Sequence, residues 1–92
     1  MSQGANMLKE AFKIVEERGK TYGPMKENMT RTAKLWSVML GVEVTAAQVA
    51  TCLIQLKMAR LVETPGHVDS VLDVAGYAAV LRECMESADG HD

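Results

Sequence analysis

Apolar residues recur at steps of three and four along four stretches of the chain, which is the spacing of amphipathic helices. The 92 residues are expected to form a single domain, with residues 1–5 and 87–92 frayed. The connections between the stretches are short, so successive helices should be antiparallel neighbours. The pattern therefore predicts an all-α fold, a compact bundle of about four antiparallel helices over residues 6–18, 24–40, 45–62 and 67–85.

Residues with special backbone or capping properties mark the predicted helix ends. Gly19 is expected to end the first helix, and Gly41 the second. Pro24 can open the second helix, because its missing N–H falls where a helix has no internal partner. Thr45 followed by Gln48 is a capping-box signature for the start of the third helix. The third helix is the most apolar element and is therefore expected to lie at the centre.

Composition supports a helical core and narrows the classes of function. Hydrophobic residues make up 48% of the chain but aromatic residues only 4%, which favours helices over strands. The net charge of -2 argues against non-specific nucleic-acid binding, which needs a basic surface. No apolar run approaches the roughly 20 residues of a membrane span, and a cytoplasmic location is expected. Cys52 and Cys84 are expected to be reduced and buried.

The short chain also favours self-association. A domain of this length buries only about 60–65% of its unfolded surface, so its stability margin is thin. Binding to copies of itself would raise that margin by mass action. A homo-oligomer is therefore expected.

The third and fourth helices carry a group of charged residues around the turn that joins them. Lys57 and Arg60 lie three apart on the apolar side of the third helix, and Asp69 and Asp73 lie four apart on the fourth. An antiparallel pair brings these residues and His67 towards one another. Two interpretations are open. The residues form an interhelical ion-pair cluster, or they surround a pocket for an anionic or phosphorylated ligand, helped by backbone N–H groups of the fourth helix.

Aromatic residues near cations give a second group of candidates. Tyr22 follows Arg18, and Tyr77 lies on the fourth helix. An aromatic ring beside a cation suits base stacking combined with phosphate contact. The alternative for Tyr22 is packing over the first helix, and the alternative for His67 is a cap or turn residue. A metal site built from His67, Asp69 and Asp73 is a further alternative, and no cofactor is predicted from these residues.

Three segments form one pattern over about residues 10–84: Arg18-x-x-x-Tyr22-Gly23-x-x-x-Glu27-Asn28, Lys57-x-x-Arg60 and His67-x-Asp69-Ser70-x-x-Asp73-x-Ala75-Gly76-Tyr77. This pattern resembles a family of small, uncharacterised helical proteins carried by bacteriophages and prophages. The resemblance implies a location in the host cytoplasm. It also suggests a counter-defence role, in which the protein sequesters a host nucleotide signal. This suggestion rests on analogy with other small phage proteins and not on particular residues.

The arrangement more distantly resembles the all-α nucleotide pyrophosphohydrolases of the MazG type, in which acidic helix motifs hold Mg²⁺ against a nucleoside triphosphate. That resemblance implies a set of metal ligands and of phosphate contacts, namely Glu16, Glu17, Asp69 and Asp73 for Mg²⁺ and Lys57 and Arg60 for phosphates. The acidic set is reduced here, because Lys20 stands where the MazG type has a third glutamate.

Three functions follow from these observations. The first is binding of a nucleotide or other phosphorylated ligand without catalysis, through Arg18, Tyr22, Lys57, Arg60, His67 and Tyr77. The second is a MazG-like, Mg²⁺-dependent nucleotide pyrophosphohydrolase. The third is a protein–protein inhibitor or accessory factor, in which the ion-pair cluster is structural and a Met-rich surface binds the partner.

Overall fold

Four α-helices account for nearly all of the described chain. The computed structural model describes the backbone of residues 2–22 and 24–89 and the side chains of residues 2–21 and 24–85. The helices are α1 (Gln3–Tyr22), α2 (Met25–Leu40), α3 (Ala46–Glu63) and α4 (Val68–Asp89). The predicted all-α fold is confirmed.

The local signals between α2 and α3 act as predicted. Gly41 adopts the left-handed conformation, with φ of 75°, and its N–H donates to the Ser37 carbonyl at 2.9 Å. The Gln48 N–H donates to the Thr45 hydroxyl at 3.1 Å, and the Thr45 N–H donates to the Gln48 side-chain oxygen at 2.9 Å. Both bonds satisfy N–H groups that a helix start leaves without a partner.

The prediction for the end of the first helix is wrong. α1 continues through Gly19 to Tyr22, because a glycine inside a helix costs only about 1 kcal/mol relative to alanine. The Thr21 hydroxyl donates to the Glu17 carbonyl at 3.3 Å within the continuing helix. Lys20, Thr21 and Tyr22 therefore belong to α1.

Two further helix boundaries differ from the prediction. α1 begins at Gln3, within the segment predicted to be frayed, and the Ser2 hydroxyl accepts the Ala5 N–H at 3.0 Å. This bond caps the helix start as serine commonly does. α4 extends to Asp89 rather than ending near Met85.

α2 and α4 each contact all three other helices, and the most extensive packing is between α3 and α4. α3 contacts α2 and α4, but within the described chain α1 and α3 do not approach each other. α3 thus has neighbours on two sides, and its residues Val49 and Ala50 are fully buried. Its apolar side chains Leu56, Met58 and Val62 nevertheless stay exposed. The buried core comes from α2, α3 and α4, and its members are Met29, Ala33, Val49, Ala50, Val80 and Cys84.

Several apolar side chains remain at the surface. Leu8 and Phe12 of α1 are exposed, whereas Ala11 between them is buried. Cys84 is buried as expected, but Cys52 is exposed. None of the described helices is both long enough and apolar enough to cross a membrane.

Candidate ligand-binding pocket

An ion pair joins α3 to α4 where the sequence predicted their charges to meet. The Lys57 Nζ lies 3.2 Å from the Asp73 Oδ2, and the two side chains are 31% and 42% exposed. Lys57 precedes the end of α3 by about as many residues as Asp73 follows the start of α4. An antiparallel hairpin therefore brings them level with each other.

This ion pair lies at the edge of a pocket of about 240 Å³. The pocket lies between α1 and α3, whose Cα atoms come no closer than 8 Å to one another in the described chain. Its apolar lining comes from α1, α2 and α4, through Ala11, Ile14, Val15, Met25, Leu72 and Val80. Apolar walls with a few converging polar groups are typical of small-molecule sites.

Four side chains that can form ion pairs or hydrogen bonds with a ligand line the pocket. Arg18 comes from α1, Lys57 from α3, and Asp73 and Tyr77 from α4. Two cations and one carboxylate leave one positive charge at neutral pH, which favours an anionic ligand. Arg18 is exposed and Tyr77 half-buried, so the guanidinium stands nearer the solvent than the ring does.

Gly76 of α4 also lines the pocket, and sequence reasoning gave it no role in a binding site. A Cβ at this position would meet no atom within 4 Å. The missing side chain therefore contributes open space beside Asp73 and Tyr77. The apolar wall from α1 was missed as well, because no local pattern shows that Ile14 and Val15 face α4 across a gap.

Arg60 is not part of this pocket. It is exposed, and no ion pair among the described residues includes it. Arg60 follows Lys57 by three residues, which turns its side chain about 60° away around the helix and moves it about 4.5 Å along the axis. Its carbonyl accepts the Thr64 N–H at 2.9 Å and so helps to end α3.

His67 caps the start of α4 and does not line the pocket. Its Nδ1 accepts the Ser70 N–H at 3.2 Å and lies 2.7 Å from the Ser70 hydroxyl oxygen. A ring nitrogen that accepts an N–H carries no proton, so the neutral ring holds its proton on Nε2. Ser70 is almost fully buried, and this contact provides its partner. The geometry is that of the cap residue considered among the sequence alternatives.

Tyr22 was also predicted to contact the ligand. Its backbone ends α1, but its side chain is not among those described. Asp69 is exposed in the first turn of α4, where the positive end of the helix dipole favours a carboxylate. It forms no ion pair in the described part of the chain. The larger ion-pair cluster therefore reduces to the single pair between Lys57 and Asp73.

The carboxylates implied by the MazG resemblance do not gather. Glu16 and Glu17 are exposed on α1, and neither they nor Asp69 line the pocket. Across residues 2–22 and 24–85, no three His, Cys, Asp or Glu side chains lie together as a metal site would require. Asp73 is the single carboxylate among the described residues that line the pocket.

Buried Cys84 lies outside the pocket. Burial raises the pKa of its thiol above the usual 9.0, Lys26 partly opposes that rise, and Glu83 adds to it. The raised pKa keeps the thiol protonated and unreactive at neutral pH. Cys84 therefore serves as a core residue.

The fold and pocket define a small all-α domain with a cationic, aliphatic-walled cleft formed by its own helices. Residues 6–85 match the model of one family, and the chain belongs to that family, which is described as "Domain of unknown function (DUF6378)". This match, together with the phage relatives below, confirms the predicted resemblance to uncharacterised phage-carried helical proteins. The more distant MazG resemblance stays a prediction.

Two phage proteins are similar to the chain. The Gene 55 protein of Mycobacterium phage L5 is 44% identical over 80 residues, covering 85% of this chain and 51% of that protein. The Gene 55 protein of Mycobacterium phage D29 is 38% identical over 82 residues, covering 88% of this chain and 54% of that protein. The chain thus spans about half the length of these curated relatives. No solved structure matches it.

Proposed function

We propose that the pocket binds a phosphorylated small molecule, most favourably a nucleotide, without catalysing a reaction on it. The observation that carries this proposal is the meeting of Arg18, Lys57 and Tyr77, from three different helices, in one pocket. All three were candidates for ligand contact on chemical grounds. Helix packing brings them to the same place.

Each side chain has a distinct part in such binding. The Arg18 guanidinium can donate two parallel hydrogen bonds to one phosphate. The Lys57 ammonium adds a second positive charge, which Asp73 holds in place when no ligand is present. Tyr77 and the aliphatic wall can contact the face of a nucleobase. The Asp73 carboxylate can accept a hydrogen bond from an N–H or hydroxyl group of the ligand.

The size of the pocket limits how much of the ligand it encloses. Typical small-molecule pockets hold about 300–1,000 Å³, and this one holds about 240 Å³. One ring system fits inside, and the phosphates would remain at the rim near exposed Arg18. A short phosphate chain at the rim agrees with the solvent-facing position of that guanidinium.

The arrangement of acids supports binding without turnover. Asp73 is the carboxylate among the described pocket residues, and it is engaged by Lys57. If the ligand is a host nucleotide signal, binding alone lowers its free concentration by mass action. That consequence matches the counter-defence role suggested by the phage setting.

Thermal unfolding with a panel of mono-, tri- and cyclic nucleotides, with and without Mg²⁺, tests the proposal. A ligand at a hundred times its dissociation constant should stabilise the chain by about 2.7 kcal/mol. Arg18→Ala should abolish the response, whereas Arg31→Ala, an exposed arginine on α2 outside the pocket, should retain it. Absence of any response in the wild-type chain would refute both nucleotide functions.

Product analysis separates binding from hydrolysis. Under the proposal, the bound nucleotide is recovered unchanged in the presence of Mg²⁺. Mg²⁺-dependent product that disappears in Asp73→Asn would instead support the pyrophosphohydrolase alternative.

Gly76 offers a second test that leaves the charges in place. Gly76→Leu should extend an aliphatic side chain into open space and weaken nucleotide binding. Gly76→Ala is the matched control, and it should raise the free energy of unfolding by about 0.5–1 kcal/mol because alanine is the better helix former. Unchanged affinity in Gly76→Leu would place the ligand elsewhere.

A further inference from the structure

Asp73 places a negative charge in a pocket whose net charge favours anions. A carboxylate repels the phosphates of a ligand, so its presence among the lining residues needs a compensating contact. The Lys57 Nζ lies 3.2 Å from the Asp73 Oδ2, and no other described residue forms an ion pair or hydrogen bond with this carboxylate. A carboxylate has about four acceptor sites on its two oxygens. Asp73 can therefore accept further hydrogen bonds, and donors on the ligand would supply the compensation.

The Lys57–Asp73 pair presents hydrogen-bonding groups in a fixed order. The ammonium of Lys57 is a donor, and because it lies beside Oδ2, the order is donor, acceptor (Oδ2), acceptor (Oδ1). A ligand edge that offers an acceptor followed by two donors matches this order. The Watson–Crick edge of guanine does so with O6, N1–H and the 2-amino group. O6 can accept from Lys57 while N1–H and the amino group donate to the two oxygens of Asp73.

The other common bases match this order less well. Adenine offers one acceptor and one donor group, so one oxygen of Asp73 is left without a partner. Uracil offers an acceptor, a donor and a second acceptor, and cytosine offers two acceptors and then a donor. Each of these pyrimidines therefore turns an acceptor towards an oxygen of Asp73, which is unfavourable because neither atom carries a proton. Guanine is the base that satisfies both oxygens.

The neighbouring positions on α4 leave room for a base held at this edge. Gly76 and Tyr77 follow Asp73 by three and four residues, which places them on the same face of the helix, and all three line the pocket. A Cβ at Gly76 would meet no atom within 4 Å, so the space beside Asp73 is open. The ring of Tyr77 can stack on the face of the base, and exposed Arg18 stays free to contact the phosphate.

We infer that the pocket selects guanine nucleotides, with Lys57 and Asp73 contacting the Watson–Crick edge of the base. This inference rests on the proposed nucleotide-binding function and adds the identity of the base. An ammonium has three donors, so Lys57 can contact O6 while it stays paired with Asp73. Asp73 is then the residue that determines specificity, and it acts without any role in catalysis.

Isothermal titration calorimetry with four nucleoside monophosphates tests the inference. Guanosine, inosine, adenosine and xanthosine monophosphate share the same ribose and phosphate and differ only in the purine. The guanosine compound should bind about tenfold or more tightly than the adenosine and xanthosine compounds, and the inosine compound, which lacks the 2-amino group, should be intermediate. Equal affinity for guanosine and adenosine monophosphate would overturn this inference and leave nucleotide binding in place. Binding of none of the four would overturn the proposed function and this inference with it.

A change of specificity in Asp73→Asn gives the sharper test. An asparagine amide offers one acceptor and one donor, which match the N1–H and the C2 carbonyl of xanthine. Asp73→Asn should lose the preference for guanosine monophosphate and bind xanthosine monophosphate more tightly than the wild-type chain does. An unfolded variant could not gain this affinity. The matched control is Asp69→Asn, at an exposed position on α4 outside the pocket, which should keep the wild-type preference. An Asp73→Asn variant that still prefers guanosine monophosphate, or gains no affinity for xanthosine monophosphate, would overturn the inference.

Discussion

The Lys57–Asp73 ion pair is expected to contribute only about 0.5–1 kcal/mol to the free energy of unfolding. Two unit charges at 3.2 Å attract by about 1.3 kcal/mol in bulk water and by about 5 kcal/mol at an effective dielectric constant of 20. The side chains are 31% and 42% exposed, so solvent screening and lost side-chain entropy bring the net value close to the 0.2–1 kcal/mol measured for exposed pairs.

A double-mutant cycle measures this contribution. Urea unfolding of the wild-type chain, Lys57→Met, Asp73→Asn and the double variant gives the coupling free energy. The coupling should fall as salt is added, because the pair is open to solvent. The matched control is a cycle between Arg60 and Asp69, which form no ion pair in the described part of the chain. Its coupling should be close to zero.

The two cycles decide between the two interpretations of the charged residues. A coupling well above about 2 kcal/mol between Lys57 and Asp73 would indicate a desolvated, structural pair. A ligand phosphate could not readily replace Asp73 as the partner of Lys57 in such a pair. A substantial coupling between Arg60 and Asp69 would restore the extended ion-pair cluster. The first result would refute the reasoning that leaves Lys57 available to a ligand, and the second would refute the reduction of the cluster to one pair.

Three further predictions concern local features of the fold. Thr45→Ala should lower the free energy of unfolding by about 1 kcal/mol through loss of the capping box, measured by urea unfolding against Thr51→Ala, an exposed mid-helix position where the change should be small. Gly41→Ala should cost about 1–2 kcal/mol in the same assay, since φ of 75° disfavours a Cβ; an unchanged midpoint would contradict this. Exposed Cys52 should react readily with a thiol reagent, whereas Cys84 should stay slow until the pH rises above the usual thiol pKa of 9.0, because burial raises its pKa further; equal rates for the two thiols would show that the core is open.

Local chemistry allowed some helix ends to be predicted from the sequence. The Thr45–Gln48 capping box and the left-handed Gly41 depend on residues within one or two turns of each other. Gly19 does not end α1 as predicted, because the effect of a glycine on a helix depends on the path of the chain that follows it. A glycine ends a helix only when the chain must turn there, and the penalty of about 1 kcal/mol for remaining helical is easily outweighed.

Which residues of the candidate site meet could be predicted only where the meeting depends on the α3–α4 hairpin. A short connection fixes which residues of two antiparallel helices lie level, and so Lys57 and Asp73 were expected to meet. The addition of Arg18 depends on how α1 packs against α4 at a distance of many residues along the chain. No spacing rule contains that information. Arg60 lies about 60° around α3 from Lys57. Both residues share one general face of the helix, so their spacing alone could not show that only Lys57 lines the pocket.

Because the pocket separates α1 from α3, ligand binding should also change the rate of amide hydrogen exchange along α1. α1 is held mainly by α4 and only slightly by α2, so its amides should exchange with deuterated solvent by local opening more readily than those of α3. A molecule held by both Arg18 and Lys57 would connect the two helices that the fold leaves apart. Slower amide exchange along α1 would then report binding, with α1 acting as the closing wall of the cleft.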